Sequence, residues 1–188
     1  MANDIGRALI TETEIKKRMT EMVLQIYGDC KGKELIVIGI LKGSFMFMAD
    51  LLRSLYLHDI HPLIDFMIVS SYGHQTTSSG MIKVERDITT DIKNHWVLVV
   101  DDILDTGRTL SFVKNHLLAQ KPQALKVCVL LDKPSRRLVE CRADYVGFKI
   151  EDYFVIGYGL DYNSRYRDLP FIAILNQKNE NIKIQTVK

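Results

Sequence analysis

The chain predicts an α/β domain built on a parallel, twisted sheet flanked by helices. Three features argue for it. Its apolar runs have strand length and are nearly continuous, as strands buried on both faces require. The segments between several of them carry apolar residues at helical spacing. And Val97–Leu110, VLVVDDILDTGRTL, drives an apolar run into acids and then into Thr-Gly-Arg-Thr, the pattern of a strand, a tight loop and a helix start.

The elements follow in order. Thr11 and Glu14 form a capping box, and Ile15, Met19, Met22, Val23 and Ile26 repeat at helical spacing up to a stop at Gly28. Leu35–Ile40 is the first strand of the sheet. Ser44–Leu57 reads as a helix with Phe45, Met48, Ala49 and Leu52 on one face. Leu63–Val69 is the next strand. Ser70–Gly80, SSYGHQTTSSG, is small and polar, and reads as a mobile loop. Met81–Glu85 resumes a strand beyond it. Trp96–Val100 is strand, Thr109–Gln120 helix and Ala124–Leu131 strand. Tyr145–Ile150, Tyr153–Gly157 and Phe171–Leu175 are short strands, and Gln177–Lys188 is a polar tail. No repeat or linker divides the chain, so residues 1–188 are expected to form one domain.

Composition narrows the function classes. Hydrophobic residues make up 47% and charged residues 26%, the balance of a globular chain with a real core. The net charge of +2 gives no argument for nucleic acid or a membrane as partner. Cys30, Cys128 and Cys141 match no metal spacing and read as reduced thiols of a cytoplasmic protein. The five histidines show no ligand spacing either. MANDIGRALI lacks a basic start and a long apolar core, so no secretory signal is expected.

In parallel α/β sheets, ligands bind beyond the carboxyl ends of the strands. That rule singles out Leu41–Gly43, Asp101–Thr109 and Asp132–Arg137. In the second of these, N–H groups at a helix start meet Thr106, Gly107, Arg108 and Thr109, a set suited to one phosphate. It is neither the GxxxxGK[ST] loop nor GxGxxG. Asp101 and Asp102 repel phosphate, but they suit sugar hydroxyls or a hard cation such as Mg²⁺. A phosphate cradle beside sugar-binding acids describes a ribose 5-phosphate pocket. Taken singly, each residue has a plainer reading. Asp101 and Asp102 would be solvated loop acids and Asp105 a helix cap. Lys42 and Lys133 would be surface lysines, Tyr72 a loop tyrosine, Phe154 a core aromatic, and Arg167 half of an ion pair with Asp161 or Asp168.

VVDDILDTGRT resembles the signature of the phosphoribosyltransferases: an apolar run, two acids, two aliphatics, then [DE]-[ST]-G-x-T. Leu41-Lys42-Gly43 after the first strand, Ser71-Tyr72, Lys133, and Tyr153–Pro170 (YFVIGYGLDYNSRYRDLP) are similar to the purine members of that family. The resemblance covers about residues 5–175. One departure stands out. Many members have Glu then Asp where this chain has Asp101 then Asp102, which shortens the reach by one methylene.

The resemblance implies the phosphoribosyltransferase fold, with a small hood, about residues 150–176, over the purine site. It implies transfer of ribose 5-phosphate from phosphoribosyl pyrophosphate to N9 of a 6-oxopurine, with Mg²⁺ as cofactor and a homodimer or homotetramer as the assembly. Asp105 would be the catalytic acid or base at purine N7 and, with Thr106, Gly107, Arg108 and Thr109, would hold the 5-phosphate. Asp101 and Asp102 would bind ribose. Leu41, Lys42, Gly43 and Arg167 would bind pyrophosphate, with a cis bond between Leu41 and Lys42. Ser71 and Tyr72 would sit on a lid spanning residues 70–80. Lys133, Phe154, Val155 and Asp161 would bind the purine, and Asp161, Asp101 and Asp102 the metal. Two other readings stand beside this one: an enzyme preferring xanthine, and a non-catalytic regulator that senses phosphoribosyl pyrophosphate.

Overall fold

The computed structural model of the protein describes residues 5–71 and 82–176. Its elements are β1 (Ile5–Ile10), α1 (Glu12–Cys30), β2 (Leu35–Leu41), α2 (Phe45–Tyr56), β3 (Leu63–Ser71), β4 (Ile82–Arg86), β5 (Trp96–Leu104), α3 (Arg108–Leu118), β6 (Ala124–Asp132), β7 (Tyr145–Lys149), β8 (Val155–Ile156) and β9 (Ile172–Leu175). A 3₁₀ turn, Pro134–Arg136, follows β6.

Among the described residues the main sheet runs β4-β3-β2-β5-β6-β7. Strands β3, β2, β5, β6 and β7 are parallel, and β4 closes one edge antiparallel. Alternate side chains of β5 feed the two sides. Trp96, Leu98 and Val100 join the cluster with α1 and α2, while Val97 and Val99 join the one with α3. Burial on both faces explains the continuous apolar runs.

Several boundaries differ from the sequence reading. Helix α1 passes through Gly28 to Cys30, because Cys30 is buried and the Tyr145 hydroxyl donates to Asp29 at 2.5 Å. Those contacts outweigh the roughly 1 kcal/mol that a helical glycine costs. The capping box forms as expected, with Thr11 N–H donating to Glu14 at 2.8 Å. Helix α2 buries Phe47, Met48, Leu51 and Leu55, and leaves Phe45 exposed, with Ala49 and Leu52 half-buried. FMFMADLL is apolar almost all round, so its pattern does not set the phase of the helix. The close fit of the Met48 sulfur over Gly39 does.

Strand β5 runs past Val100 to Leu104, since Asp101, Ile103 and Leu104 pair with Val129, Leu131 and Asp132. The two acids therefore belong to the strand and not to the loop. A second sheet, β1-β9-β8, is antiparallel and forms the hood; β1 was not anticipated, and the expected Tyr153–Gly157 strand shrinks to β8. Tyr72, most of loop 70–80 and tail 177–188 lie outside the described residues.

Asp65 on β3 ties the chain beyond β4 to the sheet. Its carboxylate accepts N–H groups from Phe66 (2.8 Å), Thr89 (2.7 Å) and Thr90 (2.8 Å). Burial pushes its pKa up, but these donors prevail and hold it down at about 2.

Candidate active site

The carboxyl ends of β2, β5 and β6 meet below the hood, and two adjoining cavities open there. One, of about 290 Å³, is lined by Leu41, Gly43, Asp101, Asp102, Asp105 and the Thr106–Leu110 turn without Arg108. The other, of about 420 Å³, is lined by Lys133, Arg136, Asp152, Phe154, Val155 and Asp161. Asp102, Ile103 and Asp105 belong to both and form the shared wall.

In the first cavity, Gly107 turns the chain at φ +85° and Arg108 begins α3. The N-cap residue of that helix, Gly107, has no side chain, so the N–H groups that follow Arg108 in the first turn remain available to an anion. The turn is clamped from behind: the Thr106 carbonyl accepts from Leu138 (3.0 Å) and Val139 (3.1 Å). The Thr106 hydroxyl accepts weakly from the Arg108 N–H at 3.4 Å. The Arg108 side chain is exposed and takes no part in the wall.

Asp101 is buried, and its Oδ1 accepts the Asp102 N–H at 3.0 Å. Burial, and then the neighbouring Asp102 carboxylate, push the Asp101 carboxyl well above the usual range. Burial raises Asp102 too, against the opposing pull of the Ile103 N–H and of Arg167. Gly43 is required where it stands, because a Cβ there would overlap the Asp102 carboxylate.

The Leu41–Lys42 bond is cis. Leu41 and Gly43 line the first cavity, whereas the Lys42 side chain is exposed outside it. Arg167 also lies outside both walls. It pairs with Asp161 at 2.6 Å and donates to the Gly159 carbonyl at 2.6 Å. Asp161 further accepts the Ser164 N–H at 2.7 Å, so the two residues expected at pyrophosphate and metal hold each other here. Ser71 ends β3, and Val69 two residues earlier lines the first cavity.

In the second cavity Lys133 is buried, with its Nζ donating to the Tyr153 carbonyl at 2.6 Å. Phe154 is no core aromatic: it is 46% exposed and packs edge-on against Tyr162, with centroids 5.7 Å apart. Val155 is buried in β8. Arg136, Asp152 and Tyr162 were not singled out from the sequence. PSRR after Lys133 was the available signal for Arg136.

Fold and site together define a protein that can hold a phosphorylated sugar at the carboxyl ends of a parallel sheet and a flat base beneath an antiparallel hood. The phosphoribosyl transferase domain family matches residues 8–163. The hypoxanthine-guanine phosphoribosyltransferase of Bacillus subtilis is 42% identical over 93% of this chain and 96% of its own. The chain matches the bifunctional protein TilS/HprT of Listeria monocytogenes at 45% identity over 93% of its length, but spans only 26% of that larger protein. A crystal structure of a hypoxanthine phosphoribosyltransferase from Staphylococcus aureus superposes with a TM-score of 0.89 at 44% identity, covering 97% of each chain. The chain belongs to the phosphoribosyltransferase family, alongside relatives named hypoxanthine-guanine phosphoribosyltransferases.

Proposed function

We propose that the protein salvages purines, transferring ribose 5-phosphate from phosphoribosyl pyrophosphate to N9 of hypoxanthine or guanine, with IMP or GMP and pyrophosphate as products. The observation that carries this reading is the shared wall of Asp102, Ile103 and Asp105 between the cavity at the start of α3 and the one that Phe154 lines. A sugar on one side and a base on the other would meet there.

The α3 N-terminus with Thr106, Gly107, Arg108 and Thr109 would hold the 5-phosphate, through N–H groups where the side chains do not reach. Asp101 and Asp102 would accept the ribose hydroxyls. Leu41, Lys42 and Gly43 would meet pyrophosphate, joined by Arg167 once it leaves Asp161. Phe154 would stack on the purine, the Val155 backbone and Asp161 would meet its edge, and Lys133 would donate to O6. Asp105 would take the N7 proton. Ser71 and Tyr72 would close over the sugar.

Mg²⁺ fits this donor set. The described residues hold no cluster of three or more metal-ligating side chains, and Mg²⁺ is usually bound by one or two carboxylates plus substrate phosphates. The Asp101–Asp102 pair on β5, or Asp161 on the hood side, would supply one or two carboxylates, with substrate phosphates completing the set, and the ion would offset charge on the departing pyrophosphate. Self-association as a dimer or tetramer and a cytoplasmic location belong to the same reading. No helix among the described residues is long and apolar enough to cross a membrane.

The test is a coupled assay of pyrophosphate release with hypoxanthine, guanine and xanthine in competition, with and without Mg²⁺. Release with either of the first two bases supports the reading. Preference for xanthine would revise the substrate, and binding of phosphoribosyl pyrophosphate without turnover would make the protein a sensor.

A further inference from the structure

The turn after β6 brings two adjacent arginines to Asp105 from different sides. Arg136 Nε donates to Asp105 Oδ1 at 3.2 Å, and its guanidinium lies 3.5 Å from Asp152 Oδ2. Asp152 Oδ1 is in turn 3.8 Å from Lys133 Nζ. Charges therefore alternate along one wall of the base cavity: Asp105, Arg136, Asp152, Lys133. The 3₁₀ turn sets this order, since residues three apart eclipse in it and Arg136 N–H donates to the Lys133 carbonyl at 3.1 Å. Arg137 reaches elsewhere. Its guanidinium donates to the carbonyls of Leu104 (3.1 Å) and Asp105, and pairs with Asp132.

Asp105 is thus fixed at its backbone by one arginine and at its carboxylate by the other. The Arg136–Asp105 pair is too exposed, at 48% and 38%, to matter much for stability. Its effect is geometric. One carboxylate oxygen is engaged and the other is left for the ligand.

We propose that Arg136 is a positioning residue for proton transfer at purine N7. It holds Asp105 by Oδ1 and leaves Oδ2 to exchange the proton, while Asp152 anchors the guanidinium from the hood side. The inference rests on the reading of Asp105 given above. The purine enters with its hydrogen on N7. As N9 bonds to C1′, the bond from C1′ to pyrophosphate breaks and its electron pair leaves with pyrophosphate. The N7 proton passes to Oδ2 and restores a neutral ring.

The test compares Arg136→Ala, Arg136→Lys, Asp152→Asn, Asp105→Asn and the Arg136→Ala/Asp105→Asn double variant. Misplacing a catalytic group by about 1 Å can cost about 100-fold. Arg136→Ala is therefore expected to lower kcat by about 10- to 100-fold, with KM for phosphoribosyl pyrophosphate and the melting temperature nearly unchanged. Arg136→Lys recovers most of the loss, and Asp152→Asn gives a smaller fall in the same parameter. In the Asp105→Asn background, removing Arg136 costs nothing more. An undiminished further loss in the double variant overturns the proposal. So does normal kcat in Arg136→Ala when Asp105→Asn is impaired, and the role of Asp105 then survives alone. Normal turnover in Asp105→Asn overturns both.

Discussion

Asp101 shows how a single buried side chain can set how the fold responds to pH. Its carboxyl is pushed up by burial and by Asp102, so the folded state holds its proton more tightly than the unfolded chain does. The stabilising contribution is full below the ordinary carboxylate range and is lost as pH rises through the folded value. At neutral pH, Asp101→Asn should therefore melt higher than the parent, with the gap closing toward pH 4 and below. Each 1 kcal/mol corresponds to about 2–4 °C in a chain of this size. The same substitution should weaken binding of the phosphorylated sugar. Calorimetry across pH, without substrate or Mg²⁺, decides it; a lower melting temperature at pH 7 would mean that the carboxylate stabilises the free protein.

Lys133 makes a different point at the same scale. In the proposed reading Lys133 meets C6 of the base, where an ammonium group, which only donates, would suit the carbonyl of hypoxanthine and oppose the amino group of adenine. Sites built around a substrate hydrogen bond can reject the unmatched analogue by about 10⁴–10⁵-fold. Lys133→Ala should lose much of its kcat/KM for hypoxanthine and narrow the gap to adenine without becoming a good adenine enzyme. An equal fall for both bases would shift the selection to the backbone around Val155.

Among the elements, β3 and the chain after β4 depend on the Asp65 carboxylate. Its folded pKa lies near 2, below the ordinary 3.8, so its contribution is present above pH 4 and is lost as pH falls through about 2. The shift corresponds to roughly 2 kcal/mol. Asp65→Asn should be less stable by about that much in denaturant at pH 7, and the difference should shrink toward pH 2. A gap independent of pH would assign the loss to packing.

Elements with a strong local signal were legible: the capping box at Thr11, the buried strands, and the turn at Gly107. Others depended on partners far along the chain. Strand β1 exists because Ala8 and Ile10 pair with Ala173 and Ile172, which no local pattern near residue 8 announces. The phase of α2 was set by Gly39 on a neighbouring strand. Arg136 was missed because its partner Asp105 lies 31 residues away, and a surface arginine carries no periodicity.

At the scale of the whole molecule, a tight approach between the hood and the main sheet lies at Gly159. Gly159 adopts φ +101°, and a Cβ there would overlap the Gly43 carbonyl oxygen. Gly159→Ala should cost about 1–3 kcal/mol from backbone strain alone. It should also raise KM for phosphoribosyl pyrophosphate by displacing the Leu41–Gly43 loop. Thermal melts and initial rates check both; an unchanged variant would show that hood and loop do not constrain each other.

The wall of Asp102, Ile103 and Asp105 is one layer of residues thick, with a cavity on either side. A two-headed molecule, a flat 6-oxo heterocycle tethered to a short phosphorylated arm, could place one head in each. Once the first head is seated, the second no longer searches bulk solution. It sees an effective concentration in the millimolar range when the tether matches the span. Such a molecule could exceed the affinity of either head by about 10²–10⁴-fold with no new contact. Lengthening the tether would erode that gain gradually, and a tether too short to cross would lose it altogether, so a graded series of arms would measure the width of the wall in solution.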